Sequence, residues 1–389
     1  MECLAVKSSF IDKIRKGYPW LYTFALHSTK DLPQGTLVYL SDSKKKPFAI
    51  AYYNGMSKIA CRVLTLDWKT SIDTAFFYHL FSKALSKREC RFKVPYYRLV
   101  HAEGDGLPGL IIDRFNDVLV CQIGTAGMEK LKDFWLKALN DLMQPKQIIF
   151  RHDALHREKE GLHSTAPVLK NELNTAIQVF EHDITFFASP MDGQKTGWFY
   201  DQRENRHWMS HYCKDKSVLD LYTYRGGFGI SAAKKGASRV TLVDSSKAAL
   251  DYAELAAKAN HVAECCHYVN EDVFTLLPEY ILQKQQFDVV IADPPAFVKQ
   301  AQHKGQGLRG YQKLAKLCAQ IVKEKGLLFI ASCSHHANMT DFRKAVETGI
   351  CKSGRQFTFI RKGGADKDHP IHPLLPENHY LKALLYRLD

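Results

Sequence analysis

Five segments between residues 217 and 336 carry the side chains best suited to chemistry, and each ends or follows a β-forming run. SVLDLY (217–222) opens the stretch Asp220-Leu221-Tyr222-Thr223-Tyr224-Arg225-Gly226-Gly227-Phe228-Gly229, and SRVTLVD (238–244) ends in Asp244. CCHYVN is followed by Asn270-Glu271-Asp272-Val273, FDVVIAD ends in Asp293-Pro294-Pro295-Ala296-Phe297, and GLLFIASC leads into Ser332-Cys333-Ser334-His335-His336. The glycines after the first run allow close backbone approach, but their spacing is not GxGxxG, and an acid opens the loop. A carboxylate there repels a pyrophosphate, yet it can accept bonds from a ligand ammonium directly or through water. Asp244 stands where a carboxylate takes both ribose hydroxyls, and Asp272 where an acid reaches an adenine amino group. Each Asp alone is also explained as a helix N-cap or turn former. Four of them at four successive strand ends suit a nucleoside that carries positive charge and no phosphate, which is S-adenosylmethionine. The pattern points to a class I methyltransferase and away from a nicotinamide enzyme.

Cys333 adds a nucleophile at the mouth of the same cleft as Asp293. A Cys near a strand end is usually a small buried hydrophobe. Beside a methyl donor it has a chemical use: a thiolate adding to carbon 6 of cytosine turns the ring into an enamine whose carbon 5 can attack a sulfonium methyl. A base must then remove the carbon-5 proton, and elimination frees the thiol. A free Cys has a pKa of about 8.5, so the site must favour ionisation. Asp293 can assist by bonding the protonated N3 or the amino edge of the base. His335-His336 lack further ligands at metal-binding spacing, His369-Pro370-Ile371-His372-Pro373 reads as a rigid turn, and Cys265-Cys266-His267 reads as part of a buried strand. No metal is expected.

The elements that must position these residues follow one rhythm from about residue 214. Strands alternate with helices over 228–236, 245–261, about 273–286 and about 311–324, which implies a parallel, doubly wound sheet. In such sheets ligands sit outside the carboxyl ends of the strands, near the switch in strand order. Upstream, residues 71–89 have helical spacing, 97–123 read as three strands joined by turns, 127–143 as one helix and 147–153 as a strand. Residues 1–70 contain short strand-like runs at 36–42, 48–54 and 58–66, as in a small barrel or sandwich. The expected division is therefore 1–70, 71–185 and 186–389.

The 389 residues carry 54 Lys and Arg against 41 Asp and Glu, a net charge of +13. Hydrophobic residues at 46% and charged residues at 24% exclude a disordered or collagen-like chain. No run reaches the ~18–20 apolar residues of a membrane span, and MECLAVKSSF lacks the apolar core of a signal peptide. Ten scattered Cys without a CxxC pair read as thiols of a cytoplasmic protein. Residues 1–70 hold eleven Lys or Arg against five Asp or Glu, which is +6 of the +13. Lys44, Lys45 and Lys46 are expected at a hairpin tip, and Lys16 lies in the cationic, aromatic segment 15–20. A polyanionic partner is implied.

DLYTYRGGFG, LVDSS, NEDVF, DPPAF and SCSHH, in this order, resemble the ribosomal large-subunit methyltransferase I family, which makes 5-methylcytosine in bacterial 23S rRNA. The resemblance extends through GQKTGWFYDQRENR (193–206), YRLVHAEGDGLPGLIIDRF (97–115) and GYPW (17–20), so it covers nearly the whole chain. It implies an N-terminal PUA RNA-binding β-barrel, a central α/β domain and a C-terminal Rossmann-like class I methyltransferase domain. It also implies that Cys333 is the nucleophile, that Asp293 is its companion, and that Asp220, Tyr222, Gly226, Asp244 and Asp272 hold S-adenosylmethionine. Gln202 and Arg206 would close over the cofactor from the helix before the first strand of the sheet. Arg225 departs from the YTGG of many family members, and Ala296 leaves the DPPAF motif without a second Cys. The partners implied are 23S rRNA or a large-subunit precursor; no membrane is involved, and a homodimer is left open.

Two other readings fit parts of the pattern. DPPAF is close to the motif with which amino methyltransferases grip exocyclic nitrogens, although Phe297 lies one position late. A non-catalytic RNA-binding or ribosome-assembly factor could retain the fold, but the intact motifs at four strand ends argue against it.

Overall fold

The computed structural model describes residues 1–152, 155–163, 168–170, 176–190, 196–376 and 379–389. Two compact units result: Met1–Ile177, Ser189–Trp198 and Lys367–Pro376 form one, and Gln178–Ala188, Phe199–Asp366 and Glu377–Asp389 form the other.

The first unit contains two sheets. β1 (Glu2–Ala5), β2 (Trp20–Leu21), β3 (Thr36–Ser41), β4 (Pro47–Tyr53) and β5 (Cys61–Thr65) are ordered β1-β3-β4-β5-β2, with α1 (Ser8–Arg15) between the first two in sequence. The β3–β4 turn is held by Asp42, whose Oδ1 accepts the backbone N–H groups of Lys44 and Lys46 at 2.9 Å each. The side chains of Lys44, Lys45 and Lys46 are left exposed, as is Lys16 at the end of α1.

α2 (Thr74–Glu89) begins at Asp73, whose carboxylate accepts the Phe76 N–H at 3.0 Å. β6 (Tyr96–His101), β7 (Leu110–Phe115), β8 (Val118–Ile123), β9 (Gln147–Arg151) and β10 (Val168–Lys170) form the second sheet, ordered β10-β9-β8-β7-β6. The single helix expected over 127–143 is instead α3 (Ala126–Lys130) and α4 (Lys132–Met143), broken at Leu131. The Trp135 indole N–H donates to the Met128 carbonyl at 2.8 Å, taking an acceptor that a continuous helix would give to a backbone N–H. Asp153, the last residue of the strand expected at 147–153, and Gly193–Lys195 of the 193–206 motif lie outside the described residues. Ile50, Tyr52 and Leu64 of the first sheet share a buried cluster with Phe77, Phe81 and Leu99 around the second. Much of segments 1–70 and 71–185 thus lies within one compact unit.

The second unit begins with the hairpin of β11 (Ile177–Glu181) and β12 (Ile184–Ala188), followed by α5 (Arg203–Ser210). β13 (Ser217–Leu221), α6 (Gly227–Lys234), β14 (Arg239–Asp244), α7 (Lys247–Ala259), β15 (Cys266–Asn270), α8 (Val273–Leu282) and β16 (Phe287–Ala292) continue it. α9 (Lys304–Ile321), β17 (Val322–Ser332), α10 (Met339–Cys351), β18 (Phe357–Gly363) and β19 (Lys382–Leu388) complete it. The seven-stranded sheet has the order β15-β14-β13-β16-β17-β19-β18. β13 to β17 run parallel, while β19 is antiparallel to both neighbours. The order reverses between β13 and β16, the switch point at which ligands bind in such sheets. Leu219, Leu221, Val290, Leu328, Ile330 and Leu384 are buried in one cluster beneath it, each worth roughly 1.5–3 kcal/mol on full burial.

Two elements differ from expectation for reasons of packing. β15 is an edge strand, so of Cys265, Cys266 and His267 only Cys266 is buried. α9 starts well before residue 311, because its glycines answer close contact rather than a loop. A Cβ at Gly307 would lie 2.4 Å from Val298 Cγ2, and one at Gly310 3.0 Å from Phe297 Cδ2.

Candidate active site

The loop after β13 is built around Asp220, which is 1% exposed. Asp220 Oδ2 accepts the Gly229 N–H at 2.7 Å and the Thr223 hydroxyl, while Oδ1 is buried with no partner among the described residues. Burial pushes this carboxyl up to about 7, opposed by those two hydrogen bonds and reinforced by the nearby charges of Asp293 and Asp244. The chain then turns through Tyr222 (φ +60°), Tyr224 (φ +52°) and Gly226 (φ +79°). For the two tyrosines this left-handed backbone costs on the order of 1–3 kcal/mol each, and such strain gathers at binding sites. Asp244 holds the turn in place: its Oδ2 accepts the Tyr224 N–H at 2.8 Å and its Oδ1 that of Ser246 at 2.9 Å. A carboxylate has about four lone-pair sites, so Asp244 keeps acceptor capacity for a ligand. The Tyr222 hydroxyl is buried without a described partner; burial raises its pKa, and the charges of Asp272 and Asp244 add to the effect. Arg225 is buried within the loop, its guanidinium 4.1 Å from the Tyr252 ring centroid and 5.0 Å from that of Tyr224.

The structure thus brings Asp220, Asp244, Asp293 and Tyr222 into one electrostatic neighbourhood. Asp272 caps α8, where its Oδ1 accepts the N–H groups of Phe274 at 2.8 Å and Thr275 at 3.2 Å. Gln202 and Arg206 have protein partners. Gln202 Nε2 donates to Asp293 Oδ2 at 2.8 Å, and its Oε1 accepts from Asn205 at 2.6 Å. Arg206 forks onto Glu181 at 2.7–3.1 Å and donates to the Phe199 carbonyl at 3.0 Å. Its Cδ also stands 2.9 Å from where a Cβ on Gly227 would lie, so the loop after β13 rests on this arginine.

Cys333 lies just past β17 and is half-buried. Its neighbours in the chain are pinned by Tyr311 of α9, whose hydroxyl lies 2.8 Å from both Ser332 Oγ and Ser334 Oγ. Ser334 Oγ accepts the Val298 N–H at 3.1 Å, which ties the loop bearing Cys333 to the DPPAF segment. From the other side Lys382, 3% exposed on β19, donates to the carbonyls of Ser334 and Ala337 at 2.7 Å each. The Phe297 ring packs on Tyr311 at 4.7 Å, and His335 stacks on Tyr380 at 5.0 Å. His369 is buried beside Asp368, its Nδ1 2.7 Å from Asp368 Oδ1, so that segment is more than a turn. Among the described residues no group of three His, Cys, Asp or Glu side chains is arranged to hold a metal ion, and no helix is long and apolar enough to cross a membrane.

Sequence reasoning did not pick out Tyr311 or Lys382. The only signal for Lys382 was a cation among the apolar residues of YLKALLY. The two orphaned polar atoms, Asp220 Oδ1 and Tyr222 Oη, beside the Asp244 and Asp293 carboxylates fit a cationic nucleoside and would repel a phosphate.

A sheet of this order, with acidic strand ends at its switch point, defines an S-adenosylmethionine-dependent class I methyltransferase. Residues 4–66 match the PUA-like domain family, and residues 203–359 match a family described as conserved hypothetical protein 95. A candidate SAM-dependent methyltransferase structure from Streptococcus mutans superposes with a TM-score of 0.84 at 23% identity, covering 100% of both chains. A candidate methyltransferase solved with SAH gives 0.85 at 22%, also over 100% of both; these two likenesses establish the fold. Ribosomal RNA large subunit methyltransferase I of Photobacterium profundum is 37% identical across 95% of each chain, and that of Aeromonas hydrophila 35% across 95%. The chain belongs to the ribosomal RNA large subunit methyltransferase I family.

Proposed function

We propose that this protein methylates carbon 5 of a cytosine in 23S rRNA through a covalent Cys333 intermediate. The observation that carries the reading is the half-buried thiol just past β17, in a loop tied to the segment that bears Asp293 at the end of neighbouring β16. S-adenosylmethionine supplies an electrophilic methyl on a sulfonium, held by Asp220, Tyr222, Gly226, Asp244 and Asp272. The Cys333 thiolate adds to carbon 6 of the cytosine, and carbon 5 becomes the nucleophilic end of an enamine. Asp293 pairs with the protonated N3 or the amino edge as the ring takes up charge. Gln202 keeps that carboxylate aimed. Once carbon 5 has been methylated its proton leaves to a base, the sulfur–carbon bond breaks, and the thiolate is regenerated. The cations Lys16, Lys44, Lys45 and Lys46 of the PUA-like domain bind rRNA phosphates, on free 23S rRNA or a large-subunit precursor, in the cytoplasm.

Methylation of an exocyclic amino group through DPPAF needs an aromatic ring free to stack on the base. The packing of Phe297 on Tyr311 supports the carbon-5 reading instead.

The deciding experiment uses Cys333→Ala with tritiated S-adenosylmethionine and 23S rRNA. Methyl transfer is expected to disappear, while wild type forms a covalent adduct with RNA carrying 5-fluorocytidine at the target. Transfer that survives in Cys333→Ala excludes the thiolate route. If calorimetry detects no S-adenosylmethionine binding by the wild type, a non-catalytic RNA-binding factor takes its place.

A further inference from the structure

We infer that Lys382 is the positioning residue that prepares Cys333 for attack, its buried ammonium closing the 333–337 loop and favouring the thiolate. The inference rests on Cys333 being the nucleophile. Lys382 sits directly across from Ser332 in the β17–β19 pairing, one residue before the thiol. Its Nζ bridges the carbonyls of Ser334 and Ala337 at 2.7 Å each, so the loop folds around the ammonium. An ammonium has three N–H donors, and these two bonds leave the third without a described acceptor in a side chain only 3% exposed. A buried cation with an uncommitted donor favours an anion beside it.

Burial pulls Lys382 down to about 8, and the charge of Cys333 opposes that fall, so the two groups feel each other. Lys382 of β19 and Tyr311 of α9 bear on Cys333, His335 and His336 follow it in its own loop, and Asp293 closes the neighbouring strand β16. Tyr311 is raised by burial, with Cys333 adding to the effect, and so stays a neutral hydrogen-bonding group at neutral pH. Lys382 is a buried cation that bears on the thiol. When Cys333 ionises, its S–H proton passes to solvent, Lys382 keeps its own proton, and a thiolate–ammonium pair remains. This is the environment that lowers the pKa of reactive cysteines.

The test reads the pH dependence of Cys333 alkylation by iodoacetamide, resolved by peptide mass spectrometry. In wild type the midpoint for Cys333 is expected below those of the exposed Cys3, Cys90 and Cys351 of the same chain. In Lys382→Gln, which keeps a neutral donor, the midpoint should rise by about one pH unit, slowing alkylation at neutral pH about tenfold. Lys382→Arg, which keeps the charge, should stay near wild type. An unchanged midpoint in Lys382→Gln that still binds S-adenosylmethionine overturns the inference, as does a Lys382→Arg midpoint that moves as far as Gln. If the variants do not fold, a wild-type Cys333 midpoint no lower than those of the exposed thiols overturns it alone. Survival of methyl transfer in Cys333→Ala would remove the nucleophile reading and leave these midpoints measurable, so the two failures are distinct.

Discussion

The side-chain amide of Gln202 donates to Asp293 Oδ2 at 2.8 Å, and Asn205 in turn fixes the amide by donating to Gln202 Oε1 at 2.6 Å. The family resemblance implies that Gln202 closes over the cofactor; the bond it makes is to Asp293, the carboxylate proposed to pair with the base. A hydrogen bond to a charged group is worth about 1.5–3 kcal/mol. Gln202→Ala should therefore lower kcat/KM for RNA by about 10–100-fold while leaving the Kd for S-adenosylmethionine within about threefold. Steady-state kinetics paired with calorimetry separates the two roles. Weaker cofactor binding with kcat intact would make Gln202 a cofactor contact instead.

Asp220 gives the site a pH dependence of definite sign. Its folded-state value of about 7 exceeds the ordinary 3.8, so the folded protein binds the extra proton across that window. Its contribution to stability is full below about pH 4 and is lost as pH rises through about 7. A ligand ammonium brought to the orphaned Oδ1 favours the carboxylate and reverses that preference. Binding of S-adenosylmethionine below about pH 7 should thus release a proton, and affinity should climb with pH to about 7 and then level. Titration calorimetry in buffers of different protonation enthalpy measures both quantities, and Asp220→Asn should abolish the release. An affinity that is flat from about pH 5.5 to 7.5 would sink the assignment.

The parallel sheet was legible because its parallel strands end in short apolar runs, four of them with an acid at or just past the strand end and the fifth followed by Cys333. The ends of the chain's other elements depend on contacts that no local pattern carries. The glycines of KGQGLRG look like a loop until Phe297 and Val298 are seen pressed against them. β18 is an edge strand whose FTFIRKG leaves Thr358, Ile360, Arg361 and Lys362 exposed, so it lacks the signature of a core strand. The acidic residues of the site announce themselves by position, whereas Lys382 and Tyr311 act through backbone carbonyls and serine hydroxyls brought close only by folding.

Arg206 and Glu181 form a buried fork, with Arg206 4% and Glu181 4% exposed. Removing the arginine leaves a buried carboxylate that keeps its contact with Arg203, at 3.6 Å. Breaking a buried pair costs about 3–5 kcal/mol, and the remaining arginine puts the loss near the lower figure. Arg206→Met should lose about 3 kcal/mol in denaturant titration, and Arg206→Lys should recover only part of it because a point charge cannot replace the fork. Stability within about 1 kcal/mol of wild type, together with a large loss of cofactor affinity, would make Arg206 a ligand of the cofactor rather than a support for the loop after β13.

The β3–β4 turn allows the proposed RNA contacts to be tested without disturbing the fold. Asp42 Oδ1 holds the turn through the backbone N–H groups of Lys44 and Lys46, so their side chains take no part in those bonds. Lys45 already adopts φ +61°, a conformation no easier for Lys than for Glu. Reversing Lys44, Lys45 and Lys46 to Glu should therefore leave the PUA-like domain folded, with an unchanged circular dichroism spectrum. Each phosphate contact contributes roughly 0.7–0.9 to the slope of log affinity against log salt. The triple variant should bind rRNA more weakly at low salt and lose that amount of slope for every contact removed. Filter binding across a salt series measures it. A slope equal to that of wild type would move the RNA footprint away from this turn and towards other cations such as Lys16.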